Sequence, residues 1–202
     1  QFAEDDHNYL HRRWEAQGWT YWYEHRKDGH TLVLCGDSRE ADPADGGGHL
    51  TWEGRSGVTP GGIWALAASR RMIPNHYSAA SFDFKTPHPR TAYVPSLNDQ
   101  GQLPPLEVYD YAGAYGFRNT ADGDALARRR MEAYEAGAKH FSAEGDADTV
   151  QPGRSFTLAG PYDIQAIGSG AGDNEFLIID AHHLVNNNYE TGQDQTAEYR
   201  AR

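Results

Sequence analysis

Residues 109–116 read Tyr-Asp-Tyr-Ala-Gly-Ala-Tyr-Gly, and a basic, helix-like segment follows at residues 125–141. We predict a strand over residues 106–111 and a helix over residues 122–141. The helix prediction depends on five apolar residues spaced by four, three, four and three positions, which places them on one continuous face. These residues are Ala127, Met131, Tyr134, Ala138 and Phe141. The long helix is therefore the clearest single element that the sequence predicts.

This spacing also predicts which side chains of the helix are buried. We expect Met131 and Tyr134 to lie in the core, because they are central to the apolar face. Arg128, Glu132 and Glu135 should face solvent or a partner subunit. The helix should therefore lie across a sheet, with one apolar side against it and one charged side away from it.

The first 35 residues predict a helix followed by a β-hairpin. The helix covers residues 5–17 and should end at Gly18, where a left-handed residue commonly stands. Aromatic residues alternate with others over residues 19–24, which is the period of a strand. The dipeptide Asp28-Gly29 is a strong hairpin signal, and residues 31–35 return as the second strand.

The middle and the end of the chain have weaker patterns. We interpret residues 36–62 as loop with a short strand at residues 50–52, and residues 63–72 as a short helix that ends before Pro74. Five prolines favour loop over residues 86–105. Strands are predicted at residues 77–85, 143–150, 155–159, 175–185 and 197–202.

Composition bounds the class of protein. The 202 residues include 12 Tyr, 7 Phe and 5 Trp, so the chain can bury a core and is not a disordered acidic tail. The net charge of −11 argues against non-specific nucleic-acid binding, because phosphates would repel it. Cys35 is the single cysteine, so no intrachain disulfide can form, and no segment predicts a membrane span. Because residue 1 is Gln without a preceding Met, we expect a fragment of a longer chain.

Short motifs follow one another in a fixed order along almost the whole chain. The motifs are Phe2, Glu4, Asp6, Tyr9-Leu10, Arg12, Gly18, residues 19–25, residues 82–85, residues 109–111, Gly113, Tyr115, residues 126–128, Arg130, Gly145-Asp146, residues 152–154, residues 156–158, His183 and residues 187–189. Together these motifs resemble the VgrG family of type VI secretion tail-spike proteins, relatives of phage baseplate hubs. His7, Arg13 and the loop at residues 46–48 depart from the family pattern.

This resemblance implies a fold and a domain organisation. The fold class is α+β: a helix plus β-hairpin followed by an antiparallel, barrel-like sheet, similar to phage tail hubs, with one long helix. Residues 1–75 would form the helix–hairpin part of an intervening hub domain. Residues 76–202 would form a barrel-like tube domain that carries the long helix. The oligosaccharide-type barrel and the β-needle of complete family members have no counterpart in this chain.

The resemblance also implies a structural function. Full-length members would form homotrimers that sit on the secretion tube protein and support the needle and effector proteins. Assembly would occur in the bacterial cytoplasm, followed by secretion through the type VI apparatus. The chain should then not be an enzyme. We expect no catalytic residue, no cofactor, no metal, no nucleic-acid partner and no membrane segment.

Two other classes of function fit some residues. A metal-dependent hydrolase could use Asp180, His182 and His183, because Asp180 and His182 would share one face of a strand. His7 and His11 also have metal-ligand spacing on a helix, although the glutamate of a zinc-protease motif is missing. A carbohydrate-binding module would instead expose Trp19, Trp22 or Trp52 in a row.

Three further patterns have ordinary structural interpretations. The glycine-rich residues 168–172 lack the Lys-Ser/Thr of a phosphate loop and predict a hairpin tip. Asp122 with Asp124, and Asp146 with Asp148, lack the remaining oxygen ligands of a calcium loop, so cap and turn roles suffice.

Overall fold

The computed structural model describes residues 3–53, 61–160 and 174–185, which contain two α-helices and ten strands. In chain order the elements are α1 (Asp6–Gln17), β1 (Thr20–Arg26), β2 (Gly29–Cys35), a 3₁₀ turn (Ser38–Glu40), β3 (His49–Trp52), β4 (Gly62–Arg70), β5 (His76–Asp83), β6 (Thr86–Pro95), β7 (Glu107–Ala114), α2 (Thr120–Ala136), β8 (Lys139–Gly145), β9 (Ser155–Ala159) and β10 (Glu175–Leu177). The fold class is therefore α+β, as predicted.

Helix α1 begins and ends as the sequence predicts. The Asp5 side chain accepts a hydrogen bond from the backbone N–H of Asn8 at 2.7 Å, which satisfies one free donor of the first turn. Gly18 adopts φ +73° and its N–H returns to carbonyls of the last turn. A side chain is disfavoured in this left-handed conformation, so glycine ends the helix at low cost.

Strands β1 and β2 form the predicted hairpin, although its turn lies one residue earlier than expected. Arg26 pairs with Gly29, so the two turn residues are Lys27 and Asp28 rather than Asp28 and Gly29. Seven residue pairs connect the strands, from Thr20 with Cys35 to the turn.

The chain divides into two compact units, each built from segments distant in sequence. Unit 1 is Gln1–Trp19 with Ala68–His140, and unit 2 is Thr20–Ala67 with Phe141–Arg202. This division differs from the expected boundary between residues 75 and 76. Periodicity and turn signals are local, whereas the contacts that define these units join residues far apart in the chain.

Unit 1 has a three-stranded sheet in the order β6-β5-β7, with β6 antiparallel and β7 parallel to β5. Helix α2 packs on one face of this sheet, mainly over β5 and β6. Met131 and Ala127 of the helix have no solvent exposure. The core cluster also contains Ile73, Tyr77, Ala79, Ala92, Val94 and Phe117.

Helix α2 is shorter than predicted and ends at Ala136. Gly137 caps it, and the residues from Lys139 onward belong to strand β8. Phe141 therefore does not extend the helical face, and Tyr134 is 38% exposed rather than buried. Glu135, half-buried, accepts hydrogen bonds from the Ser96 hydroxyl and the backbone of Leu97. The predicted face is thus correct at Ala127 and Met131 and wrong at Tyr134.

Tyr77 anchors the centre of this sheet. It is 3% exposed, and its hydroxyl donates to Asp110 at 2.9 Å. Burial, with the hydrogen bond to the Asp110 carboxylate as a second cause, raises the pKa of Tyr77 to about 12. The phenol is therefore neutral near pH 7 and satisfies its one donor inside the unit.

Unit 2 contains the hairpin β1-β2 and strands of a five-stranded sheet in the order β10-β9-β3-β4-β8. Strand β3 is parallel to both β4 and β9, while β10 is antiparallel to β9. The core cluster comprises Leu50, Ile63, Ala147, Val150, Leu158 and Ile178. Arg154 donates to Glu24 at 3.0 Å and to Asp42 at 3.2 Å, so one guanidinium joins three separate segments.

Three expectations need correction. Residues 63–72 do not form a helix, because they enter the sheet as β4. Much of the predicted loop at residues 86–105 is strand β6, whose prolines are tolerated because β6 is an edge strand among the described residues. Finally, the sheets are mixed rather than antiparallel, and the described strands form open sheets without closing a barrel.

Candidate assembly surface

The face of the unit 1 sheet opposite helix α2 carries exposed aromatic side chains. Side chains alternate along a strand, so residues next to the core positions of β6 and β7 point to this outer face. Tyr93 and Tyr109 pair with the same residue, Ser78, from opposite sides, and Tyr111 pairs with Ala80. These three tyrosines are 57%, 65% and 56% exposed. We call Tyr93, Tyr109 and Tyr111 the tyrosine face.

The turn that follows β7 is fixed by one buried serine. Ser81 is 2% exposed; its hydroxyl donates to the Gly113 carbonyl at 3.0 Å and accepts from the Gly116 N–H at 2.9 Å. Tyr115 adopts φ +60°, a conformation disfavoured for a non-glycine residue, and its ring meets Phe84 edge-on at 5.8 Å. The stretch at residues 109–116 is thus a strand that ends in a tightly held turn.

We expect Ser81→Ala to lower the free energy of unfolding by about 1–3 kcal/mol, because it removes both hydrogen bonds that the buried Ser81 hydroxyl makes to the backbone of the turn. Urea unfolding followed by circular dichroism measures this difference. Ser78→Ala is the matched control, since the Ser78 hydroxyl bonds to Glu107 at an exposed position where water can replace it. Equal losses in the two variants would contradict the assigned role of Ser81.

The hairpin of unit 2 has a second apolar surface. Tyr21, Tyr23, Leu32 and Leu34 alternate along its two strands, and they are 36%, 52%, 40% and 43% exposed. Trp22, Glu24 and Val33 of the other face are half-buried. The hairpin therefore shows one side to the unit's interior and leaves a row of large side chains accessible.

The residues of the hydrolase alternative do not assemble into a ligand set. No group of three or more His, Cys, Asp or Glu side chains in residues 3–53, 61–160 and 174–185 is arranged to hold a metal ion. Asp180, His182 and His183 lie beyond β10 in an irregular segment, so they do not share a strand face. Asp180 and His182 are exposed, and the His183 Nε2 lies 3.0 Å from the Val150 carbonyl.

The other candidate residues have structural contacts. His7 and His11 stack on each other on α1, with ring centroids 3.8 Å apart. Asp122 lies in the first turn of α2 and accepts from Arg118 at 2.8 Å. Arg118 lowers the pKa of the Asp122 carboxyl through this hydrogen bond. Asp146 accepts from the backbone N–H groups of Gly61 and Gly62, each at 2.9 Å, which is the turn role expected of it.

Cys35, three tryptophans and the glycine-rich segment were also singled out in the sequence. Cys35 ends strand β2, and its thiol donates to the Asp37 carbonyl. Trp19 is 46% exposed, whereas Trp22 and Trp52 are half-buried. The glycine-rich residues 168–172 lie outside the described residues.

A shallow groove of about 510 Å³ opens beside the turn in unit 1. Gln17, Tyr115, Phe117, Arg118, Asp122 and Arg129 contribute to its walls. Arg118 and Asp122 form an ion pair with each other, so much of the charge in the groove is already neutralised. The groove lies next to the tyrosine-bearing strand and has no arrangement of nucleophile and base.

Sequence reasoning missed Tyr93 as a surface residue because residues 86–105 were interpreted as loop. The alternation from Thr91 to Pro95, with Ala92 and Val94 buried and Tyr93 exposed, was the available signal. The prolines obscured this alternation, although an edge strand accommodates them. No helix among the described residues is both long enough and apolar enough to span a bilayer.

Comparison with known families places this architecture among the phage tail hubs. Residues 1–189 match the family described as "Phage tail baseplate hub (GPD)". Because the match covers most of the chain, this chain belongs to the phage tail baseplate hub family. The resemblance inferred from the ordered motifs is thereby confirmed.

The chain is also similar to spike proteins of type VI secretion systems in Pseudomonas aeruginosa. It is 27% identical to the spike protein VgrG1a in an alignment of 205 positions, which covers 95% of this chain and 29% of VgrG1a. It is 26% identical to VgrG1c, covering 95% of this chain and 26% of that protein, and 26% identical to VgrG1b, covering 95% and 25%. The chain thus spans less than a third of the length of these relatives.

Proposed function

We propose that this chain is a structural part of the base of a type VI secretion spike. The observation that carries the proposal is the match to a phage tail baseplate hub family over residues 1–189, together with the similarity to three spike proteins. A base of this kind acts by presenting shaped surfaces to its neighbours, and no catalytic group is required. The role is accordingly structural and not enzymatic.

The similarity to the three spike proteins also supports a proposal about partners. A full-length protein that contains this chain forms a homotrimer, sits on the secretion tube protein and supports effector proteins beyond it. It is assembled in the bacterial cytoplasm and then leaves through the secretion apparatus. We expect the chain on its own to be mainly monomeric at micromolar concentration. Association costs roughly 4–15 kcal/mol of lost freedom, and copies with a net charge of −11 repel each other.

We assign subunit contacts of unit 1 to the tyrosine face. Tyrosine is enriched in protein interfaces and charge is depleted at their centres. Exposed aromatic rings gathered on one sheet face are therefore typical of a surface that is covered after assembly. Tyr93, Tyr109 and Tyr111 satisfy this description, since each is more than half exposed.

A chimera tests the proposal, in which residues 1–202 replace the aligned region of the P. aeruginosa spike protein VgrG1a. We expect sedimentation velocity to give a trimer for the chimera and a monomer for the isolated chain. A folded but monomeric chimera would overturn the structural assignment. A trimeric isolated chain would show that the chain holds enough interface by itself.

Paired substitutions then test the surface. Tyr109→Lys with Tyr111→Lys in the chimera should abolish the trimer, because two charges enter a desolvated contact. Ala133→Lys with Ala136→Lys is the matched control, since it adds the same charge at exposed positions of α2. If the tyrosine variant stays trimeric, the contacts lie elsewhere and the spike assignment itself stands.

A further inference from the structure

Two histidines face each other across the tip of the unit 2 hairpin. His25 and His30 are directly opposite partners in the register of β1 and β2, one pair before the turn-closing pair. Their Nδ1 atoms lie 3.2 Å apart, and the rings are inclined by 71° with centroids 5.2 Å apart. Both side chains are exposed. None of the functions considered above uses this pair.

The separation of the two nitrogens suits a shared metal ion. With Zn–N bonds of 2.0–2.1 Å, two ligands of a tetrahedral ion stand about 3.3 Å apart, and two adjacent ligands at a right angle stand about 2.9 Å apart. The observed 3.2 Å lies between these values. A neutral imidazole carries one N–H and one free lone pair, so when both rings carry their hydrogen on Nε2 the two Nδ1 lone pairs are free to bind one ion.

The fold holds the pair in place before any ion binds. Residues directly opposite on antiparallel strands keep their Cβ atoms about 4.5–5.5 Å apart, and seven register pairs fix this alignment. Tyr23 lies beside His25 on the same face of the hairpin, with ring centroids 6.4 Å apart. The backbone separation of the two histidines is therefore set before chelation, and only side-chain freedom remains to be lost.

The electrostatics and the ligand type select the kind of ion. The net charge of −11 favours cations near the chain, and the nearby Arg26 guanidinium is paired with Glu24 at 3.3 Å. Imidazole suits Cu²⁺, Ni²⁺ and Zn²⁺, whereas Mg²⁺ and Ca²⁺ prefer oxygen ligands. No third protein ligand joins the pair among the described residues, so water would complete the coordination.

We propose that His25 and His30 form a two-imidazole site for a divalent transition-metal ion. The site binds Cu²⁺, Ni²⁺ or Zn²⁺ and discriminates against Mg²⁺ and Ca²⁺. A bound ion clips the two strands together at the open tip of the hairpin. This site is independent of the proposed spike function.

Calorimetric titration of the untagged chain with NiCl₂, after treatment with a chelator, tests the site. We expect one equivalent of Ni²⁺ to bind at the pair. His25→Asn and His30→Asn should each weaken that binding by on the order of 100-fold, because either change removes the chelate. MgCl₂ should give no binding at this pair. Both side chains are exposed, so the variants should keep the circular dichroism of the parent.

A second histidine pair provides the matched control. His7 and His11 also lie close together. The double variant His7→Asn with His11→Asn should still bind the one equivalent of Ni²⁺ whose binding His25→Asn weakens. The proposal is overturned if His25→Asn and His30→Asn bind Ni²⁺ like the parent, or if Ni²⁺ binding is lost only in the double variant of His7 and His11.

Discussion

Met131→Asp should lower the free energy of unfolding by several kcal/mol, with a large drop in melting temperature. Met131 is completely buried between helix α2 and the unit 1 sheet, among Tyr77, Val94 and Phe117. An aspartate there loses the packing of the methionine and places an uncompensated carboxylate in an apolar cluster. Thermal and urea unfolding measure the effect.

A matched substitution separates burial from helix propensity. Ala133→Asp places the same residue two positions further along α2 at an exposed site, where the cost is only about 0.7 kcal/mol or less. If Met131→Asp fails to fold, Met131→Ala keeps the test quantitative, with an expected loss of about 2–5 kcal/mol. Equal melting temperatures for Met131→Asp and Ala133→Asp would show that the helix packs through another face.

The elements predicted correctly from the sequence are those that local interactions determine. Helix α1 has an acidic N-cap and a C-terminal glycine within its own residues, and hairpin β1-β2 has a short turn between alternating strands. The start of α2 is equally local, since Asn119 accepts from the Asp122 N–H, and it lies two residues before the predicted start at residue 122. In each case the stabilising partners are only a few residues apart, so a sequence pattern contains them.

The elements that were missed depend on distant partners. Strand β4 contains Ala65, Ala67 and Ala68, and alanine favours a helix, but the segment pairs with β3 and lies next to β8 in the sheet. Parallel pairing of β5 with β7 joins residues about 30 positions apart, which no local signal reveals. The mixed sheets therefore could not be derived from periodicity, and the antiparallel expectation came from the family resemblance alone.

The same limit applies to the candidate surface and the metal pair. Tyr109 and Tyr111 were recognised as part of a motif, yet their shared exposed face follows only from the register with Ser78 and Ala80. His25 and His30 belong to a hairpin that was predicted, but the expected turn was displaced by one residue. A one-residue shift in register exchanges the partners across a hairpin, so the pairing had to come from the structure.

Two motifs that are separate in the sequence meet in unit 2. The aromatic strand near the start supplies Trp22 and Glu24, and the Pro-Gly-Arg motif supplies Gly153 and Arg154. Arg154 donates to Glu24 at 3.0 Å, and the backbone of Gly153 lies against the Trp22 ring. The two motifs are thus in contact with each other, and the Trp22 ring leaves no room for a side chain at Gly153.

Gly153→Ala should consequently be among the most damaging single-methyl additions, with an expected loss of about 2–5 kcal/mol. Gly153 is buried at φ +79°, and an added Cβ would lie 2.2 Å from Cδ2 of Trp22, far inside van der Waals contact. The indole or the backbone must move. Movement of the backbone would also disturb the hydrogen bond from the Gly153 N–H to the Ile178 carbonyl at 2.8 Å.

Two companion variants divide this loss into its causes. Gly46→Ala introduces the same left-handed strain at φ +84° with nothing within 4 Å of the new Cβ, so it should cost only about 1–2 kcal/mol. Trp22→Leu removes the ring that the methyl group meets, and adding it to Gly153→Ala should cost less than the sum of the two single changes. Urea unfolding of the parent, Gly153→Ala, Trp22→Leu and the double variant gives the coupling energy between the two positions. Two results together would contradict this contact: equal losses of unfolding free energy for Gly153→Ala and Gly46→Ala, and strictly additive losses in the double variant. Trp22 would then not rest on Gly153, and Arg154 alone would join the two motifs.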